Sequence, residues 1–98
     1  MEKYIIEECK HILNRDCTTI QLELENYTRD LFQCEFDRPL DWPTIFHKVY
    51  LHACLKGRHE CATWMQTVLF PAMDPIQQIA LRQIFPYGRV LLQKAKAH

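Results

Sequence analysis

The sequence predicts an all-α protein, a compact single domain of residues 1–98 built as a bundle of five to six helices. Along most of the chain, apolar residues recur at the three- and four-residue spacing that marks one buried face of a helix. The chain contains 2 glycines and no serine, so few stretches have the composition of a flexible loop. A chain of 98 residues is also long enough to bury a hydrophobic core without disulfides.

The bundle is predicted to form around a central helical hairpin at about residues 43–69. Pro43 suits the first turn of a helix, and Asp41 complements the helix dipole. Gly57 stands where a left-handed residue ends the first arm, and Pro71 ends the second. The apolar residues that face inward are predicted to be Trp42, Ile45, Phe46, Val49, Tyr50, Ala53, Cys54, Cys61, Trp64, Met65, Val68 and Leu69.

Two helices are predicted before the hairpin, separated by a break at residues 15–17. The first covers residues 2–14, and the second covers residues 18–34, with Thr18 and Gln21 as a capping box. The inward face of the first is predicted to consist of Tyr4, Ile5, Cys9, Ile12 and Leu13. The residues of the second that alternate with polar ones, as in a strand, are Ile20, Leu22 and Leu24. The length of this segment favours the helix.

An irregular connection and two further helices complete the prediction. Residues 35–43 contain two prolines and are expected to be irregular, with Phe36, Leu40 and Trp42 packed inward. Asp74 and Pro75 start a helix. Its inward face is predicted to be Ile76, Ile79, Ala80 and Ile84. Residues 85–88 are predicted to break this helix, and residues 89–97 to form the last one.

Charge and cysteine content limit the cellular setting. Net charge is zero, but residues 1–42 hold 10 acids and 5 bases, whereas residues 43–98 hold 2 acids and 7 bases. This asymmetry fits a binding face, attraction between the two halves, or head-to-tail pairing of chains. We expect no membrane association, since no long apolar run exists. An odd number of cysteines, 5, favours a reduced, intracellular protein of the cytoplasm or nucleus.

Histidines and cysteines of the hairpin raise the question of a metal site. Zinc binds thiolates and imidazoles, and the candidate ligands are His47, Cys54, His59 and Cys61. No pair of cysteines has the spacing of a zinc finger, and buried cysteines commonly serve as small hydrophobic residues. We therefore expect no cofactor, with zinc as the alternative. Cys61 and His59 also lack a third catalytic group, so we expect no enzyme activity.

A nucleic-acid interface is the second alternative. The candidate phosphate-binding residues are Lys56, Arg58, Arg82, Arg89, Lys94 and Lys96. The sequence pI of about 6.9, however, is far below the value of about 9 that is typical of a strongly basic domain.

Large apolar residues favour a third function, the recognition of another protein. The residues predicted to bind a partner are Trp42, Tyr50, Trp64, Phe70, Met73, Phe85 and Tyr87. The sequence therefore predicts a small non-catalytic regulatory protein, an adaptor or inhibitor of the size of viral accessory proteins. It would act through exposed helix faces on another protein or on a second copy, as a homodimer. The alternative function is a zinc-stabilised nucleic-acid-binding domain that uses the basic C-terminal half.

Overall fold

Capping residues and prolines mark two of the helix starts, at residues 41–43 and 74–75. The computed structural model describes residues 1–15 and 18–96, and among these residues it contains six α-helices and no strand. The helices are α1 (Glu2–Leu13), α2 (Ile20–Gln33), α3 (Trp42–Leu55), α4 (His59–Trp64), α5 (Pro75–Leu81) and α6 (Ile84–Lys96). The predicted fold class is thus confirmed. The predicted break at Asp16 and Cys17, and the predicted helix end at Ala97, lie outside the described residues.

Helix α3 lies at the centre of the bundle, and α1 and α6 pack against it most extensively. Its N-terminus is capped by Asp41, whose two carboxylate oxygens accept from the backbone N–H of Thr44 at 3.3 Å and from its hydroxyl at 2.8 Å. Its C-terminus is followed by Gly57, which adopts the predicted left-handed conformation with φ of +69°. Trp42, which was predicted to face inward, is only partly buried. The other predicted inward residues of α3 are all buried: Ile45, Phe46, Val49, Tyr50, Ala53 and Cys54.

The second arm of the hairpin is not one regular helix. Helix α4 continues into a π-helical turn, Met65–Leu69, and a 3-10 turn, Phe70–Ala72. Because a π-helical turn contains more residues than an α-helical one, it rotates the following side chains relative to the α-helical pattern. Leu69 stays in the core, but Val68, which was predicted to face inward, is 54% exposed.

The first two helices differ from the prediction in detail. In α1, Ile6 is buried and Tyr4 is 64% exposed, so the predicted inward position of Tyr4 is wrong. The inward face of α1 excludes Tyr4 and consists of Ile5, Ile6, Cys9, Ile12 and Leu13. Helix α2 begins at Ile20 with Thr19 as N-cap, one residue after the predicted cap, Thr18. The helix, rather than the strand, is confirmed for this segment.

The last helix begins five residues earlier than predicted. Residues 85–88 lie inside α6, which starts at Ile84. Pro86 is the third residue of the helix, where the backbone N–H that proline lacks would have no helical partner. Gly88 faces α3, and its missing side chain permits close contact: a Cβ atom there would lie 2.5 Å from Cε1 of Tyr50. The predicted break at this point is therefore wrong.

The predicted inward face of α5 is also wrong for three of its four residues. Ile76 is 82% exposed and Ile79 is 66% exposed, and Ala80 is exposed beside them. The helix has 7 residues, and it contributes only Leu81 to the core. Ile84, the fourth predicted residue, is buried as part of α6. A helix of two turns anchored by one buried side chain leaves its other apolar residues in solvent.

Candidate interaction surface

A groove runs between α2 and the helical segment of residues 59–72. Its deeper part, a depression of about 430 Å³, is lined by Glu25, Thr28, Arg29, Phe32, Trp64, Val68, Leu69 and Ala72. A wider depression of about 610 Å³ continues it toward the start of α2, and Gln21, His59, Glu60, Thr63 and Thr67 complete its lining. Both depressions share Glu25, Trp64 and Val68. We call this continuous feature the α2 groove.

The α2 groove is apolar at the end where α2 terminates. Phe32 is 56% exposed there, and Trp64 is half-buried between it and the core. Val68 lies beside them because the π-helical turn rotates it toward solvent. Three large apolar side chains thus share one concave surface, which is the arrangement that receives the apolar face of a partner helix.

The opposite end of the groove carries negative charge. Glu25 is half-buried and accepts a hydrogen bond from Nε2 of Gln21 at 3.3 Å. Glu60 is exposed at the start of α4, where the helix dipole favours an acid. Arg29, farther along α2, is the basic residue of this lining. The groove therefore combines an apolar end with an acidic one.

Aromatic stacking fixes the apolar end of the groove in place. The rings of Phe32 and Trp42 are stacked with centroids 4.6 Å apart and an interplanar angle of 18°. Phe32 and Ala72 also line a neighbouring depression together with Met73 and with Gln77 of α5. Helix α5 therefore starts next to the groove. We call its two exposed isoleucines, Ile76 and Ile79, the α5 ridge.

The structure separates the residues that the sequence predicts to bind a partner. Trp64 lies in the groove, and Trp42 and Met73 line the depression at its end. Tyr87 is 70% exposed on α6. The remaining three predicted partner-binding residues, Tyr50, Phe70 and Phe85, pack together with Phe46 in an aromatic cluster.

The aromatic cluster belongs to the core. Tyr50 is 2% exposed, its hydroxyl donates to Oε1 of Gln66 at 3.3 Å, and burial raises its pKa. Phe85 meets Tyr50 edge-on, with ring centroids 5.3 Å apart, and meets Phe70 at 4.9 Å. These contacts join α3, the 3-10 turn and α6. The side chain of Tyr50 is therefore not exposed on the surface.

The candidate basic residues do not share one role. Arg58 is engaged in the fold: its Nε donates to the carbonyl oxygen of Leu13 at 3.0 Å and its guanidinium also donates to that of Arg15 at 2.8 Å. These bonds tie the hairpin turn to the end of α1. The candidates with exposed side chains are Lys56, Arg82, Arg89 and Lys94. The side chain of Lys96 lies outside the described part of the chain.

The four candidate zinc ligands differ in environment. Cys54 and Cys61 are buried, whereas His47 and His59 are exposed. Burial raises the pKa of the Cys61 thiol to about 11 and also raises that of Cys54. Within residues 1–15 and 18–96, no three histidine, cysteine or acidic side chains are grouped as metal ligands.

The sequence analysis missed most of the exposed apolar residues. It assigned Val68, Ile76 and Ile79 to the core because their helical spacing fits a buried face. The signal that could have found the isoleucines is the short distance between Pro75 and the next proline, Pro86, which limits how much of α5 can reach the core.

None of the helices in the described part of the chain has the length and hydropathy needed to cross a bilayer.

Comparison of the chain with protein-family models, with curated proteins and with solved structures finds no match.

Proposed function

We propose that this chain is a small non-catalytic regulatory protein, an adaptor or inhibitor, that binds another protein inside the cell. The observation that carries the proposal is the α2 groove, where Phe32 and Val68 are each more than half exposed beside Trp64. Helix α5, whose first turn lies beside the groove, carries two more exposed isoleucines, Ile76 and Ile79.

The physical argument rests on the cost of exposing these side chains. Burying a large apolar side chain stabilises a protein by about 1.5–3 kcal/mol, so leaving several in one region forgoes that gain. Scattered exposed apolar residues are ordinary on protein surfaces, but a contiguous group in a concave site with a polar rim is typical of a binding surface. In the α2 groove, Glu25 and Arg29 supply that rim around Trp64.

The cysteine environments support a non-catalytic role. A nucleophilic cysteine requires a lowered pKa and access to substrate. Cys61 is buried, and burial raises its pKa to about 11, so the thiol of this candidate stays protonated near neutral pH. His59, its candidate base, is exposed at the start of α4 and lines the groove. These side chains fit a structural thiol and a groove residue.

The alternative of a zinc-stabilised nucleic-acid-binding domain has less support. Its basic set loses Arg58, which donates to two backbone carbonyls, and its candidate ligands combine two buried cysteines with two exposed histidines. The wider depression of the α2 groove is lined by the acids Glu25 and Glu60 and by no lysine or arginine. Phosphate is not attracted to such a surface.

Affinity capture with a matched pair of variants tests the proposal. Val68→Glu places a charge in the apolar end of the groove at a side chain that is already exposed. Leu55→Glu does the same at a 60% exposed leucine at the end of α3, outside the groove lining. We expect proteins captured by the wild type to fall by about tenfold or more with Val68→Glu and to persist with Leu55→Glu. Capture that is insensitive to Val68→Glu, or the absence of any captured protein, would contradict the proposal.

A further inference from the structure

The α2 groove and the α5 ridge have complementary shapes, and α5 begins beside the groove. The groove is concave, with Phe32, Trp64 and Val68 at its apolar end. The ridge is convex, and Ile76 and Ile79 are one helical turn apart on α5. Because Phe32 and Gln77 line the same depression, the first turn of α5, which carries Ile76, lies next to the apolar end of the groove.

The charges of the two features are also complementary. The groove contains Glu25 and Glu60, whereas α5 and α6 contain no acidic residue. Arg82 follows Ile79 by three residues at the end of the ridge, and its side chain is exposed. The basic end of the ridge is thus complementary in charge to the acidic end of the groove.

Within residues 1–15 and 18–96, no ion pair joins the acidic half of the chain to the basic half. Among the described residues, the two ion pairs join Arg15 to Glu23 at 3.0 Å and Arg38 to Glu2 at 2.9 Å. Both pairs lie within residues 1–42, the acidic half. Acids of the first half with exposed side chains, such as Asp30, and exposed bases of the second half, such as Arg82, take part in neither ion pair and can contact a second molecule.

We propose that the occupant of the α2 groove is the α5 ridge of a second copy of this chain. A two-fold axis near the junction of groove and ridge would place each ridge in the other molecule's groove, so one surface patch serves both subunits. This inference rests on the proposed function and names the partner. The contact involves few large side chains compared with the roughly 800 Å² per partner of a standard interface. We therefore expect a dissociation constant on the order of 1–100 µM.

Sedimentation velocity of the full chain over about 1–300 µM tests the dimer, since this range brackets the expected dissociation constant. Wild type and Leu55→Glu should move from monomer to dimer across the range. Ile79→Glu places an acid against a groove that contains Glu25 and Glu60, and Val68→Lys places a charge at the apolar end of the groove, against the isoleucines of the ridge. Each variant alone should raise the dissociation constant by about tenfold or more. Circular dichroism checks that each variant folds, and Ile76→Glu, at the most exposed of these positions, is the second ridge variant.

Mixing the two variants gives the sharper result. In a mixed dimer of Ile79→Glu and Val68→Lys, the new acid meets the new base in one groove, and the other groove holds the wild-type contact. The mixture should therefore dimerise at least about tenfold more tightly than either variant alone. An equimolar mixture that stays monomeric, or a wild-type dimer that both variants leave intact, would overturn the inference.

The failure of this inference and that of the proposed function have different signatures. A wild-type chain that stays monomeric, yet captures a different protein in a manner sensitive to Val68→Glu, overturns the second-copy inference and supports the proposed function. A chain that neither self-associates nor captures any protein overturns both.

Discussion

Gly88 is the point of closest approach between α6 and α3, and replacing it with alanine tests how these helices pack. A Cβ atom at this position would lie 2.5 Å from Cε1 of Tyr50, 2.8 Å from its hydroxyl oxygen and 2.9 Å from Sγ of Cys54. Tyr50 and Cys54 are buried in the centre of the bundle, so neither side chain is free to move into solvent. The new methyl group must displace the ring or push α6 away from α3.

Two opposing effects set the size of the loss. Alanine stabilises a helix interior by about 1 kcal/mol relative to glycine. Overpacking of a well-packed core typically costs about 1–3 kcal/mol, and contacts this short belong at the upper end. We expect Gly88→Ala to lower the free energy of unfolding by about 1–2 kcal/mol. For a chain of this length, that loss lowers Tm by about 4–16 °C.

Thermal and urea unfolding followed by circular dichroism measure this effect. The control is Arg89→Ala, which alters the next residue of α6 at an exposed position and should change Tm little. Adding Gly88→Ala to a Tyr50→Leu background removes the ring from the clash, so the extra loss should shrink there. A Gly88→Ala protein as stable as the wild type, or more stable, would refute the described packing of α6 on α3.

Two further changes test the hairpin and its pH response. Gly57→Ala should cost about 1–2 kcal/mol in urea unfolding, because φ is +69° and the Cβ would lie 3.1 Å from that of Ala95; Gly57→Asn, which shares that contact but tolerates the conformation, should cost less. Burial lowers the pKa of His52, whose Nε2 lies 2.8 Å from Oδ1 of Asn14. Near and below pH of about 6.5, the unfolded chain therefore binds more protons than the folded chain. The free energy of unfolding should decrease as the pH falls through this range. His52→Asn should reduce this loss, whereas the exposed control His47→Asn should retain it; equal pH profiles for both variants would contradict the assignment.

Local chemistry made the starts of α3 and α5 and the turn of the hairpin predictable from the sequence. Asp41, Gly57 and Asp74 act at helix ends, where a single side chain or a single φ angle decides the outcome. At Asp74, for example, the backbone N–H donates to Oε1 of Gln77 at 3.3 Å as part of a capping box. Such contacts span only a few residues, so the pattern of neighbours contains the needed information.

The rest depended on tertiary contacts that no local pattern contains. Pro86 was expected to break a helix, but its position in the first turn of α6 depends on where Ile84 enters the core. The exposure of Val68 depends on the π-helical turn, and no pattern in the sequence predicts that turn. Ile76 and Ile79 have the spacing of a buried face but no core to face. Val68, Ile76 and Ile79, whose exposure was not predicted, therefore make up much of the candidate surface.

Nuclear magnetic resonance of the labelled wild-type chain, recorded during dilution, tests the central claim most directly. We expect concentration-dependent shifts at Phe32 and Val68 of the α2 groove and at Ile76 and Ile79 of the α5 ridge. Tyr4, which is equally apolar and exposed on α1, should not shift. Shifts confined to α1, or dilution that moves only residues outside groove and ridge, would contradict the claim that this surface makes the protein's contacts.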